Sequence, residues 1–332
     1  MRKGWIVLGL AVLAVAGLWW WRSGPGGGAL PGATAKIAAN DPLAFAPADT
    51  PFVFGNIAAL PEPVAQRWMA QVDPQIPQWR RQIGALLARL DTMQQASDPT
   101  RDDDADVDVD AEDGDDSEIA DAAVSIQVAG WLRALDAELA QTPDGKALSA
   151  RFGFDTSAKA AVYGIGLVPV ARVTLADPAT LIATVARMEK ASGNALTPLT
   201  LEGIDAGWRF DLPETPIQGV VAVIGHHLVA ALAPRDNSTA TREVLGLVRP
   251  ARSLADSGEL QRLNAAEGFT AYGSGYLDTE RVLALFRTPA TPLETAFLAP
   301  FEIEKPTLPP ECEADVALIV RSFPRMVSGY TR

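Results

Sequence analysis

The sequence predicts an α+β protein: a largely antiparallel sheet with packed helices, preceded by one N-terminal transmembrane helix. Three observations carry this prediction. Strand-like runs occur as hairpin pairs, the strongest being "GVVAVIGHHLVAALA" from Gly219 to Ala233. Apolar residues spaced three and four apart alternate with those runs, mixing helices with antiparallel strands. An uncharged run from Gly4 to Trp21 stands ahead of everything else.

That run follows Arg2 and Lys3. Its seventeen residues from Trp5 onward, at about 1.5 Å each, reach roughly 26 Å against a hydrocarbon core of about 30 Å. Trp5 at one end and Trp19, Trp20 and Trp21 at the other suit the two interfacial belts. The positive residues precede the span, so the N-terminus is expected in the cytoplasm and the body in the periplasm of a single-pass bacterial inner-membrane protein. The competing reading is a cleaved signal peptide, because Ala14-Val15-Ala16 has the small-x-small form. Cleavage there would leave three tryptophans at the new terminus. The expected organisation is a signal anchor at 1–22, a Gly-, Ala- and Pro-rich flexible tether at 23–47, and a periplasmic α+β domain at 48–332. The domain is expected to continue beyond this chain, because "RMVSGYTR" from Arg325 reads as an extended segment.

Folding is expected to begin near Pro51, with "PFVFGNIA" as the first strand. Val64 and Trp68, then Trp79, Ile83, Leu86, Leu87, Leu90 and Met93, predict two amphipathic helices broken near Pro74 and Pro77. Helical spacing resumes from Ile119 to Leu139. Strands are expected at Ala160–Leu167 and Val170–Leu175, separated by Pro169. Asp177-Pro178 then supplies an N-cap and an N1 proline for a helix carrying Leu181, Ile182, Val185 and Met188. Short strands at Leu199–Leu201 and Gly207–Asp211 lead into the hairpin, where Gly225-His226 suits a II′ turn. Its flanks, Val220–Ile224 and Leu228–Leu232, are almost wholly apolar, which places them centrally in the sheet. Helices at Thr239–Val248 and Asp256–Ala265 precede an alternating strand from Phe269 to Leu277 and a further helix. The proline-dense stretch from Thr288 to Pro310 reads as an extended surface excursion, and a helix at Cys312–Ser322 leads to the last strand.

The formal charge is −13, but residues 101–121 hold twelve carboxylates against one arginine, leaving only −2 elsewhere. With no basic stripe, nucleic acid is excluded as a partner. The run "RDDDADVDVDAEDGDD" has no EF-hand register. Started at Asp106, the loop has Ala111 where glycine must turn and Ser117 where glutamate must chelate; with Gly114 at the turn, Val109 and Ala111 fall on ligand positions. The run therefore reads as a disordered acidic insertion over 98–117, held open by charge repulsion. Its alternative role is a partner-binding arm formed by Asp102, Asp103, Asp104, Asp106, Asp108, Asp110, Glu112, Asp113, Asp115 and Asp116.

No catalytic residue, cofactor site or metal site is assigned. His226 and His227, the only histidines, are adjacent on a strand and point to opposite faces, so they do not chelate as a pair. "YGSGY" around Ser274 lacks the G-x-S-x-G spacing, and "GIGLVP" from Gly164 has proline where the dinucleotide fingerprint needs its third glycine. Cys312 is the only cysteine, so it is either inert or paired outside this chain.

The stretches "APADTPFVFGNI", "GVVAVIGHHLVAALAP" and "SLADSGELQRLNAAEGFTAYGSGYLD" together resemble a bacterial family of membrane-anchored or secreted envelope proteins carrying a domain of unknown function. The likeness spans about Pro47 to Asp278; the acidic insertion and the proline-rich excursion depart from it. It implies an envelope location and an α+β fold and carries over no catalytic residue. The expected function is non-enzymatic binding or envelope maintenance, with the bilayer and an envelope protein as partners. The alternatives are a hydrolase using Ser274 or His227 with a carboxylate, and a carrier of an apolar ligand beside the central hairpin.

Overall fold

The computed structural model describes residues 36–96, 116–193, 196–212, 215–288, 290–302, 304 and 309–331. The expected anchor at 1–22 and most of the acidic insertion lie outside these residues. Among the described residues, no helix is long and apolar enough to cross a membrane. The span expected as one domain forms two compact units, the first made of residues up to 68, 153–178 and 197–332, the second of 69–152 and 179–196.

Among the described residues, the first unit is built on a nine-stranded sheet. Its strands are β1 (Phe52–Gly55), β2 (Ala160–Ile165), β3 (Val168–Thr174), β4 (Thr197–Pro198), β5 (Ala206–Asp211), β6 (Ile217–Ile224), β7 (His227–Pro234), β8 (Phe269–Asp278) and β9 (Arg325–Thr331). They lie in the order β4-β5-β6-β7-β3-β2-β1-β8-β9, and every neighbouring pair is antiparallel. The β6–β7 hairpin falls inside the sheet, as its apolar flanks predict. Its register, Ile224 opposite His227, leaves a two-residue loop. Gly225 there has φ of +55° while His226 does not enter positive φ, the pattern of a II′ turn.

Period-two alternation sorts the strands into faces. Val53, Tyr163, Val170, Arg172, Val229 and Ala231 share one face through their registers. Against it pack Leu43, Phe45, Leu245, Leu254 and Leu260 to form the core. The opposite face carries Phe52, Phe54 and Val162, half-buried, and the exposed Leu277.

Helices of this unit include α1 (Glu62–Val72), which begins in it, then, after the β6–β7 hairpin, α6 (Ser238–Val244), α7 (Leu254–Ser257), α8 (Glu259–Glu267), α9 (Thr279–Leu285), α10 (Pro292–Leu298) and α11 (Glu313–Ser322). The second unit holds α2 (Gln75–Ala96), α3 (Asp116–Ala140), α4 (Gly145–Arg151) and most of α5 (Pro178–Ser192). Within it Arg80 pairs with Asp136 and Arg133 with Asp91, joining α2 to α3. Pro77 is tolerated in the first turn of α2, where its missing N–H has no helical partner.

Four expectations need correction. The described part of the stretch expected as tether is folded: Pro42–Phe45 forms a buried 3-10 turn, because its apolar side chains join the sheet's core. Pro169 does not separate two strands but sits inside β3 opposite Gly164, with Gly166-Leu167 making the turn. The proline-dense stretch contains α10, since Thr291 and Glu294 form a capping box and Pro292 stands at the first helical position. The expected insertion ran to 117, whereas α3 begins at Asp116. The short helix α4 was not expected; Asp144 caps it by accepting from the Ala147 N–H at 2.7 Å.

Candidate functional site

The chemistry-bearing groups of the sheet unit gather around Arg172. Alternation in "VPVARVT" puts Arg172 on the same face as Val168 and Val170, in the core, and it is only 1% exposed. Its Nη2 donates to the Leu245 carbonyl at 2.6 Å, and its Nη1 faces His227 Nδ1 at 3.3 Å. The guanidinium lies 3.6 Å from the centre of the Phe45 ring. Arg249, itself exposed, lies 3.5 Å from the same centre. Two guanidiniums at those distances cannot share one face, so the ring is held between them, an arrangement favoured by its quadrupole.

The 3-10 turn brings Phe45 into place through contacts on both sides. Asp41 pairs with Lys159 through both oxygens at 2.9 Å. Arg249 Nη1 donates to the carbonyls of Ala39 and Ala44. Pro47 bridges Ser253, and the Leu254 N–H donates to the Ala46 carbonyl. Gly246, at φ of +71°, allows the approach: a Cβ there would lie 2.5 Å from Arg172 Nη2 and 2.8 Å from the Phe45 ring.

His227 is 6% exposed and its ring meets Phe45 edge-on, centroids 5.2 Å apart. Burial, with Arg172 and then Arg249 adding positive charge, pushes its pKa down to about 4. It is therefore neutral at pH 7, with Nδ1 as the acceptor toward Arg172. Tyr163 is wholly buried; burial pushes its phenol up, opposed by Arg172 and Arg249. The Arg172 guanidinium and the Tyr163 hydroxyl face each other as side-chain hydrogen-bond neighbours on this buried face.

Ser274 lies in β8, fully buried, and its Oγ lacks a partner among the described residues. His227 is in β7, and β3, β2 and β1 lie between those strands. Four strand spacings put the two residues roughly 19 Å apart, so they do not form one catalytic pair. His226 is exposed at the hairpin tip. Cys312 is half-buried and free. No group of three His, Cys, Asp or Glu residues could hold a metal among the described residues. Of the acidic residues expected as a partner arm, only Asp116 falls within them, at the first position of α3. The others lie outside the described residues.

A second set of groups surrounds β9. Arg325 Nη2 reaches Glu259 at 2.7 Å and Asp278 at 2.5 Å, and Arg281 Nη2 reaches Glu259 at 2.9 Å. Arg281 Nη1 donates to Tyr276 Oη at 2.9 Å and to the Thr50 carbonyl at 3.1 Å. Burial and the Glu259 charge push the Tyr276 phenol up to about 12, so it stays protonated. Two carboxylates balance two guanidiniums, and this network seats the first residue of β9.

The two ends of the sheet differ. β4 is two residues long and contains Pro198, which blunts that edge. β9 runs seven residues without proline. Its side chains at Met326 and Val327, with Ser328, line an apolar depression of about 260 Å³, together with Phe52, Phe54 and Leu277. Phe323 and Met326 are 66% and 59% exposed, and Leu318 and Ile319 of α11 are exposed as well. Sequence reading found β9 but missed both arginine clusters. An arginine alternating in phase with Val168 and Val170 was the available signal for the first. No family model matches this chain, no curated protein matches it, and no solved structure matches its fold.

Proposed function

We propose that the chain is a non-enzymatic binding protein of the bacterial envelope, held in the inner membrane by residues 4–21 with its body in the periplasm. In this reading it docks an extended segment of an envelope protein along β9. The observation that carries it is the long, proline-free β9 at one end of the sheet beside an apolar depression, opposite an end blunted by Pro198. Backbone pairing along an edge supplies affinity, and a pocket for alternate side chains supplies selectivity. At about 260 Å³ the depression is below the roughly 300–1,000 Å³ of small-molecule sites. It suits one inserted side chain better than a carried lipid. The Glu259–Arg325–Asp278 network holds β9 in place before the partner arrives, which lowers the ordering cost of docking. The run from Asp102 to Asp116 adds long-range attraction for a basic partner.

The test is in-cell photo-crosslinking of the full chain, with the photoreactive residue at Val327 or, as control, at Thr197. A stoichiometric envelope partner captured from Val327, absent from Thr197 and lost in Met326→Glu, is the expected result. Equal capture from both edges, or only copies of the chain itself, would refute this mode of binding.

A further inference from the structure

The sheet face opposite the core uses one device at three glycines. The Phe52 ring lies over Gly164 of β2, the Phe54 ring over Gly275 of β8 and the Tyr330 ring over Gly273 of β8. A Cβ built on those glycines would come within 2.7, 2.8 and 2.4 Å of the respective rings. Each ring fills the space left by a missing side chain on the neighbouring strand, which covers the ladder and pins its register.

The row that contains Phe54 ends in a small residue. Phe54 faces Gly275, and Gly275 faces Ser328 in β9, the last strand of the described sheet. The adjacent row, Phe52, Leu277 and Met326, stands beside it as a ridge. These two rows line the apolar depression, and no charged residue lines it. A partner residue opposite Ser328 would stand two strand spacings, roughly 10 Å, from Gly275. Only a long neutral side chain crosses Ser328 to enter the depression, and a flat ring repeats the packing already found over Gly164, Gly273 and Gly275.

Charge complementarity sets the flanks. Phe269 faces Thr331 at one end of β9, and Glu267, two residues before Phe269, is exposed at the end of α8. At the other end, Arg321 is exposed in the last turn of α11, four residues before Arg325. Arg325 itself is balanced by Glu259 and Asp278. Alternation puts Arg325 and Thr331 on the face of the core helices and Ser328 on the opposite face.

Resting on the docking reading above, we propose that the segment received by β9 carries an aromatic residue opposite Ser328, with a basic residue toward Thr331 and an acidic residue toward Arg325. The ring enters the depression on one face. The two charges lie on the other face, toward Glu267 and Arg321, and fix the direction of the segment.

The experiment is selection of displayed random peptides of about nine residues on the full chain in detergent micelles. The selected peptides are expected to share an aromatic residue between a basic and an acidic one, and to crosslink from a photoreactive residue at Val327. Ser328→Leu, which fills the row from within, is expected to bind them at least about tenfold more weakly, and Ser328→Ala to bind them like the parent. Peptides that crosslink at Val327 with no aromatic preference, or that bind Ser328→Leu as tightly as the parent, would overturn this inference and leave edge docking standing. Peptides that crosslink only at Thr197, or no enrichment, would overturn both. Should Ser328→Leu fail to fold, the residue preference of the peptides and their site of crosslinking decide the matter.

Discussion

His227 Nδ1 accepts from the buried guanidinium of Arg172 across the β7–β3 ladder, at 3.3 Å. Protonation of the imidazole would set two positive charges against each other in the core. Its folded pKa, about 4, lies below the ordinary value of 6.5. Between those values the unfolded chain binds more protons, so stability is full above about pH 6.5 and falls as the pH drops toward 4. The difference amounts to up to about 3 kcal/mol. Denaturant midpoints measured from pH 8 to pH 4 should decline over that window, and His227→Gln should flatten the decline.

Phe45 is held between Arg172 and Arg249. Truncation to alanine removes a buried ring and both cation–π contacts together. A loss of about 3–5 kcal/mol is expected. Limited proteolysis should then cut the segment before Pro47, which the parent protects.

Gly246 has positive φ and no room for a Cβ beside Arg172 and Phe45. Gly246→Ala is expected to cost at least about 2 kcal/mol, through backbone strain and displacement of the guanidinium. Chemical denaturation measures it directly.

Ser274 makes the opposite prediction. Its hydroxyl is buried without a partner among the described residues. Replacing it with alanine removes an unsatisfied polar group at almost constant shape, so stability should be unchanged or raised by up to about 1 kcal/mol. A folded Ser274→Ala variant that keeps every cellular crosslink would also separate Ser274 from any catalytic role.

In the helical unit Glu138 receives both Arg187 and Arg151. Burial alone would raise its pKa, and the two arginines outweigh burial and lower it. Its stabilisation is present above the usual glutamate range and is lost as the pH falls through the lowered value. Glu138→Gln should cost about 1–3 kcal/mol at pH 7, because two charge-assisted bonds become neutral ones. That cost should shrink below pH 4, which separates it from a packing defect.

β6 and β7 were legible as two continuous apolar runs meeting at Gly225-His226, and β8 as the alternating stretch "GFTAYGSGYLD". Pro169 misled, since proline usually breaks a ladder. The two sides of a strand residue are not equivalent, however, and β3 accommodates it opposite Gly164. Burial of Leu43 and Phe45 was invisible in a Gly-, Ala- and Pro-rich context, because it depends on a surface assembled from β3, β7 and the segment after α6. Arg172, Tyr163, Arg249 and Phe45 converge only after three distant segments have folded, the β2–β3 hairpin, the turn at Phe45 and the stretch after α6.

The position of β1 has a consequence for the order of assembly. It leaves the ribosome before the other described strands, yet its neighbours are β2, about a hundred residues later, and β8, more than two hundred residues later. Loop-closure entropy must be met over both separations before the ladder rewards it, so the two ladders of β1 form more slowly than the β2–β3 and β6–β7 hairpins. Until β8 is synthesised, Phe52 and Phe54 have one flank uncovered, and the nascent chain depends on whatever holds it apart from its neighbours during that interval.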